Sequence, residues 1–384
     1  MSELNASNLR KEHGNEGPDL VGVTELTSPY FMVPPSGTTA ERPENPQKGT
    51  LRFNTDIGSL EYYKGDTIGW ESIDRKQASA NPGTRGFHNG ARKSPGYGYV
   101  DQIDMYDIST TGNPVDFGDM TTGSADNYEQ GSFASAIRGC AYGGRGPGSY
   151  MNTIEYITMS TFGNSLNFGD LSAPTVLSAG CADSTRGVRM GGIGPGGTPN
   201  LGRNIMEYVT ISSTGDATDF GDLADAPALT CAASSPTRGV LLGGAAPNPS
   251  YNEDKIQYIT IQSAGNAVEF GNLSSTIAYN TGGANRVRGL SAGESNPAVS
   301  NVIDYITIAT TGNASDFGDL TVARAAAEAG ASAVRLVVTG GYSTNYDATM
   351  DYVTIMTLGN AIDFGDLSSG SAYSQGFSNA HGGL

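Results

Sequence analysis

The sequence predicts an all-β chain: a six-bladed β-propeller of four-stranded blades closed by the C-terminal strand. An extended N-terminal arm and a small β-hairpin module precede it. Three observations carry that expectation. The word [DEN]FG[DN], shortened below to FG[DN], occurs six times, at Phe117, Phe168, Phe220, Phe270, Phe317 and Phe364, with spacings of 51, 52, 50, 47 and 47 residues. Periods near fifty residues mark propellers or solenoid arrays. Glycine supplies 54 of 384 residues, which suits many short strands and tight turns and ill suits long helices. After Phe364 there is room for one more small-residue strand, "SAYSQGFSNA", and no such strand precedes Arg85. The C-terminal segment is therefore expected to complete the first blade and remove its open edges.

The elements follow in order. Residues 1–47 show no sustained periodicity and contain Pro18, Pro29, Pro34, Pro35, Pro43 and Pro46, which reads as an extended arm that lies on a partner. Residues 48–78 hold "GTLRFNTDIGSLEYYKGDTIGWESI". Leu51 and Phe53 alternate with Arg52 and Asn54, a turn follows, and Leu60 to Tyr63 returns as a hairpin with a further strand at Trp70. The propeller spans 79–384.

Each propeller copy contains an arginine five residues ahead of a glycine, from Arg85/Gly90 to Arg335/Gly340. That word, as in "RGVLLGG", reads as a short apolar strand. Next comes a tyrosine-bearing strand such as "IQYITI", at Tyr156, Tyr208, Tyr258, Tyr305 and Tyr352, and Met105 takes the place of the tyrosine in the first copy. The FG[DN] word makes the outer strand. Segments ahead of the arginines, such as "LSAGCADS" and "LTCAASS", are built of small side chains, as strands crowded at a central axis must be.

Length variation points to a face. Tyrosine-to-phenylalanine spacing is 12 in all five copies that have the tyrosine, whereas the gaps between strands 2 and 3 run 14, 12, 16, 14, 11 and 11. One longer 4–1 connection follows Phe117. In an antiparallel blade the 2–3 and 4–1 loops share one face, so all variation falls there, as at a binding face. The candidate binding residues are Tyr97, Tyr99, Tyr150, Asn200, Tyr251, Asn252, Tyr342 and Tyr346, because tyrosine among small polar residues suits adaptable recognition, including sugar stacking. Loops that only turn corners are the competing reading.

Composition excludes several classes. A net charge of −17 and a pI near 4.5 argue against nucleic acid, which needs a basic footprint. No stretch is apolar enough for membrane insertion, and nothing near Met1 resembles a signal peptide. Cys140, Cys181 and Cys231 form no paired motif and are expected buried and free. Neither a cofactor nor a metal is expected. A site shared by His88 and His381 in the closure blade, or calcium at the repeated Asp/Asn corners, is the minor alternative. The paired carboxylates of each FG[DN] word, such as Asp363 and Asp366, are poor glycosidase candidates because a glycosidase has one cleft. Their expected work is capping turns while Phe packs between blades, and the repeated arginines are expected to be structural, paired with those carboxylates.

The repeats resemble those of kelch and galactose-oxidase-like propellers, with Phe where kelch repeats usually carry Trp; that implies architecture. The stretch "SPYFMVPPSGTTAERPENPQKG" with the hairpin resembles anchoring modules of tail-fibre and other virion proteins of tailed bacteriophages. Together with the GNAxDFGDL-type repeats, the chain is most similar to virion proteins of phages that infect cyanobacteria. The resemblance implies a non-enzymatic structural protein of the virion (a tail fibre or tail/baseplate appendage), assembled in the host cytoplasm. Residues 1–78 would contact other virion proteins, and the propeller loops would contact a host-surface polysaccharide or receptor. Such fibre proteins are often homo-trimers, although no heptad or collagen-like stalk is present here. An architectural connector or decoration protein is the alternative, followed by a polysaccharide-degrading enzyme.

Overall fold

The computed structural model describes residues 34–56, 59–66, 69–72, 84–93, 98–121, 129–146, 149–195, 202–245, 253–295 and 298–380. They fall into two compact units, Met1–Gln77 and Ala78–Leu384.

In the smaller unit, Leu51–Asn54 pairs antiparallel with Ser59–Tyr63, and Trp70–Ser72 adds to the far edge. Residues 34–46, read from sequence as part of the extended arm, build the near edge of this sheet. Ser36–Gly37 runs parallel to Phe53 and Asn54, and a 3₁₀ turn follows over Thr39–Glu41. The physical reason is Glu61, whose side chain is fully buried. A buried carboxylate without a partner is strongly unfavourable, and Arg42 reaches it at 2.5 Å with Arg52 at 3.6 Å. Trp70 lies under the Arg42 guanidinium, 5.8 Å from its ring centre.

The larger unit is all-β and propeller-like. Cys231–Ser234, Arg238–Gly244, Glu253–Thr260 and Val268–Ile277 pair in sequence order, each antiparallel to the next. The same order recurs in sheets whose inner strands begin at Gly131, Ala179, Thr281 and Glu328. One sheet differs: Arg85–Lys93, Gly98–Asp107 and Val115–Asp119 take their inner strand from Ser371–Ala372 and Gln375–Ser378. We number the sheets 1 to 6 from the one holding Arg85. The inner strands are AGCA, CAAS, TGGA and EAGA in sheets 3 to 6, small enough for neighbouring inner strands to touch.

Apolar side chains fill the seams between sheets. Phe220 of sheet 3 packs with Leu241, Ile259 and Ile261 of sheet 4 in one buried cluster. Phe364 is 2% exposed and meets Tyr352 of its own sheet at 6.0 Å and Tyr106 of sheet 1 at 5.9 Å. Edge-to-face contacts of this kind add to the burial of the rings.

A backbone clasp joins each seam. Gly163 donates its N–H to the Phe117 carbonyl at 3.0 Å, and Asn164 Oδ1 accepts from the Asp119 N–H at 3.0 Å. The same clasp recurs between Gly215 and Phe168 and between Gly112 and Phe364, both at 2.8 Å. At Gly271 a Cβ would stand 2.3 Å from the Gly312 carbonyl oxygen, so the FG[DN] glycine is there for close backbone approach. The residue after the turn glycine, not the Asp of FG[DN], therefore supplies the cap.

The repeated arginines are structural but have different partners from those expected. The guanidinium of Arg186 lies 4.2 Å from the Tyr208 ring centre and donates to the Ile261 carbonyl of the next sheet at 3.0 Å. Arg138, Arg238, Arg288 and Arg335 repeat this with Ile211, Ile308, Ile355 and Ile108. The carboxylates of FG[DN] stay on the exposed outer strand, whereas the strand-end carbonyls lie within reach and need donors. Arg85 reaches the Met159 carbonyl, with Met105 in place of a stacking ring.

Candidate functional site at the axial mouth

Where each 4–1 connection enters an inner strand, one residue adopts the left-handed conformation. These are Glu129, Leu177, Leu229, Tyr279, Ala326 and Tyr373, with φ between 50° and 60°. Among the described residues no other non-glycine residue has positive φ. Their backbones are bonded in sequence. Leu177 N–H donates to Glu129 O at 2.8 Å, Leu229 to Leu177 at 3.1 Å and Tyr279 to Leu229 at 2.8 Å. Ala326 donates to Tyr279 at 2.8 Å, Tyr373 to Ala326 at 3.0 Å, and Glu129 to Tyr373 at 3.1 Å. The bonds form a collar, and all six side chains line the cavity, about 190 Å³, that runs along the inner strands.

A left-handed L-residue costs roughly 1–2 kcal/mol. Glycine would remove that strain, yet none of the six positions carries it in a chain so rich in glycine. The side chains vary around the collar: a carboxylate, two leucines, two tyrosines and an alanine. Strain retained to present a side chain points to function.

The 2–3 connections reach the same mouth. Antiparallel bridges pair Val176 with Ile193, Ala228 with Ala245 and Ala325 with Tyr342, so the 4–1 and 2–3 loops do share a face. In sheet 2 the short hairpin Arg145–Gly146 and Ser149–Tyr150 sets Arg145 against Glu129, Nε to Oε2, at 2.8 Å. The same guanidinium lies 4.8 Å from the Tyr150 ring centre and donates to its hydroxyl at 3.1 Å. Burial raises the Glu129 carboxyl, opposed by the Arg145 and Arg92 guanidiniums. Burial likewise raises the Tyr279 phenol, with the Glu129 charge adding to it. Tyr373 is pushed up to about 12 by burial, reinforced by Tyr279, Tyr346 and Glu129. Tyr279 and Tyr373 meet edge-to-face at 5.9 Å.

Of the residues singled out from sequence, the structure brings Tyr150, Tyr342 and Tyr346 to this face. Tyr342 and Tyr346 pair across a tight loop with ring centres 5.7 Å apart. Tyr99, expected in a loop, belongs to the strand Gly98–Asp107 and pairs in register with Arg92. The ladder extends past the glycine bulge at Gly90, which shortens that loop. Tyr97, Asn200, Tyr251 and Asn252 lie outside the described residues, as does His381. Sequence reasoning missed Glu129, Arg145, Tyr279 and Tyr373. One signal could have found most of the collar: five of its six members stand nine residues ahead of a repeat arginine.

Other polar groups belong to the scaffold. His88 is buried, with Nδ1 2.8 Å from Glu328 Oε1 and Nε2 2.9 Å from Ser371 Oγ. Buried carboxylates ahead of the repeat tyrosines accept the N–H that follows the previous FG[DN] strand, as Glu207 does from Ser172 at 3.0 Å. Cys140, Cys181 and Cys231 are buried and free, and burial pushes the Cys140 thiol up to about 12. Among the described residues no group of three or more His, Cys, Asp or Glu could hold a metal ion, and no helix is long and apolar enough to cross a membrane.

No protein-family model matches the chain, and no curated protein matches it. Among solved structures, that of YjhT is similar with a TM-score of 0.54 at 10% sequence identity, covering 71% of this chain and 95% of that one. At such identity the likeness speaks for the β-propeller-like fold alone.

Proposed function

We propose that the chain is a non-enzymatic virion structural protein of a tailed bacteriophage, most similar to those of cyanobacterial phages. In this reading residues 1–78 anchor it to other virion proteins, and a six-bladed propeller closed by the C-terminal strand attaches to a host-surface glycan. The pairing of Gln375–Ser378 with Arg85–Lys93 supports the closure. The observation that carries the binding assignment is the collar, where six strained residues present two phenol rings and a carboxylate, which Arg145 pairs, at a single mouth. Aromatic faces beside fixed polar groups suit a sugar ring, with its apolar face and its hydroxyl edge. The resemblance of the N-terminal words to phage anchoring modules carries the virion assignment.

The test is binding of the full chain to envelope polysaccharide from cyanobacterial strains, alongside the variants Tyr279→Ala and Tyr373→Ala. The expected result is binding that each substitution weakens about tenfold, the size of one lost ring contact, with unchanged thermal stability. Release of reducing ends from that polysaccharide would instead favour an enzyme. Immunogold labelling of intact particles tests the virion location.

One observation favours the architectural reading. Val334, Met356 and Leu358 of sheet 6 are 59%, 50% and 53% exposed on the face opposite the collar, where a packing partner would cover them.

A further inference from the structure

The mouth continues into the sheet 6 loop. Tyr279 and Tyr373 flank Ala326 in the collar, and the small alanine side chain leaves their rings free to meet above it. Two residues before Tyr373, the Ser371 N–H donates to the Asp347 carbonyl at 2.9 Å and the Ser371 carbonyl accepts from the Gly341 N–H at 2.7 Å, which ties the sheet 6 loop that carries Tyr346 to the collar. Tyr373 also senses Tyr346 electrostatically. Tyr346 packs edge-to-face on Tyr342, which is 36% exposed at the rim. The row runs Tyr279, Tyr373, Tyr346, Tyr342, with ring centres 5.9 and 5.7 Å apart within its two pairs.

The row is mounted on rigid backbone. Tyr342 exchanges two hydrogen bonds with Ala325, at 2.9 and 2.7 Å, and Ala325 directly precedes collar residue Ala326. Asp347 N–H donates to the Gly341 carbonyl at 2.8 Å and closes the loop that carries both tyrosines. Preorganised rings lose little freedom on binding, which makes each a useful platform. The Arg145–Glu129 ion pair sits at the inner end, beside Tyr373 and Tyr279.

Resting on the glycan-binding reading above, we infer that this site takes an extended oligosaccharide and not a single sugar. One residue lies at the axial mouth between the tyrosine pair and the Glu129–Arg145 pair. The following residues lie along Tyr346 and Tyr342, whose spacing is comparable to one pyranose ring of an extended chain. Specificity for hydroxyl pattern resides at the inner end, and affinity for chain length at the outer end.

The experiment uses the full chain and cyanobacterial envelope polysaccharide, cleaved by mild acid and fractionated into pools of one to six residues. Titration calorimetry is expected to show affinity rising about tenfold from one to three residues and levelling beyond four. Tyr342→Ala should flatten that rise, Tyr342→Phe should keep it, and Tyr279→Ala should weaken every pool by a similar factor. Val334→Ser, on the opposite face, is the control and should change none of them. Binding that is equal for all pool lengths, or a rise that survives Tyr342→Ala, overturns the extended row while leaving glycan binding intact. Failure of every pool to bind overturns the glycan reading and this inference together.

Discussion

The outer seams and the axial mouth are built from the same repeat, yet they treat side chains in opposite ways. At the seams the same residue types recur, because the geometry admits few others: a glycine where two backbones approach, an Asn or Asp as cap, an arginine over a tyrosine. At the mouth the backbone recurs and the side chains do not. Six residues share one conformation and one hydrogen-bond pattern while carrying four different side-chain types. Invariance marks what joins the sheets, and variation on an invariant backbone marks where the proposed ligand would be read.

The largest expected effect is at a seam. Gly271→Ala should destabilise the larger unit by about 3 kcal/mol, because its Cβ would meet backbone at 2.3 Å that cannot step aside. Gly365→Ala should cost less, since the nearest atoms there stand 2.9 Å away. Urea unfolding midpoints check both, and equal costs would mean the seams do not bear on backbone contact. Next, Arg186→Met removes a ring contact and a bond to a carbonyl, an expected loss of about 1.5 kcal/mol. Arg85→Met should cost about 1 kcal/mol or less, because Met105 stands where the other copies place their tyrosine.

The mouth should answer differently. Ala326→Gly relieves left-handed strain at the expense of unfolded-chain entropy, and a net gain of about 0.5 kcal/mol is expected. A loss in thermal unfolding would show that the collar is not strained. The smallest effect concerns Glu129, whose carboxyl is raised above its ordinary 4.5 by burial. Folding then favours the protonated form. That contribution is present in full below pH 4.5 and is lost as pH rises through the raised value. Relative to Glu129→Gln, the natural chain should therefore lose stability between pH 4.5 and neutrality, measured as the difference in urea midpoints.

The parts legible in the sequence were those with a period or a composition. Six spaced phenylalanines, the tyrosine strands and the small-residue strands all appear where those words predict. The seam partners of the arginines were hidden because a main-chain carbonyl has no letter, so Asp363 and Asp366 looked like the natural candidates. The collar was hidden for the opposite reason. Leu177 and Tyr279 occupy a conformation usually announced by Gly or Asn, and nothing in their identity announces it. Arg42 was missed because its partner, Glu61, is buried only once a sheet forms around it.

The collar's hydrogen bonds leave every member's side chain outside the bonding scheme. Side chains can be exchanged without altering a donor or an acceptor of the collar itself, so the mouth behaves as a six-letter word written on a fixed line. If the mouth binds a receptor as proposed, a lineage that follows a changing receptor could respell that word one position at a time. The seams, which hold the line straight, would stay as they are.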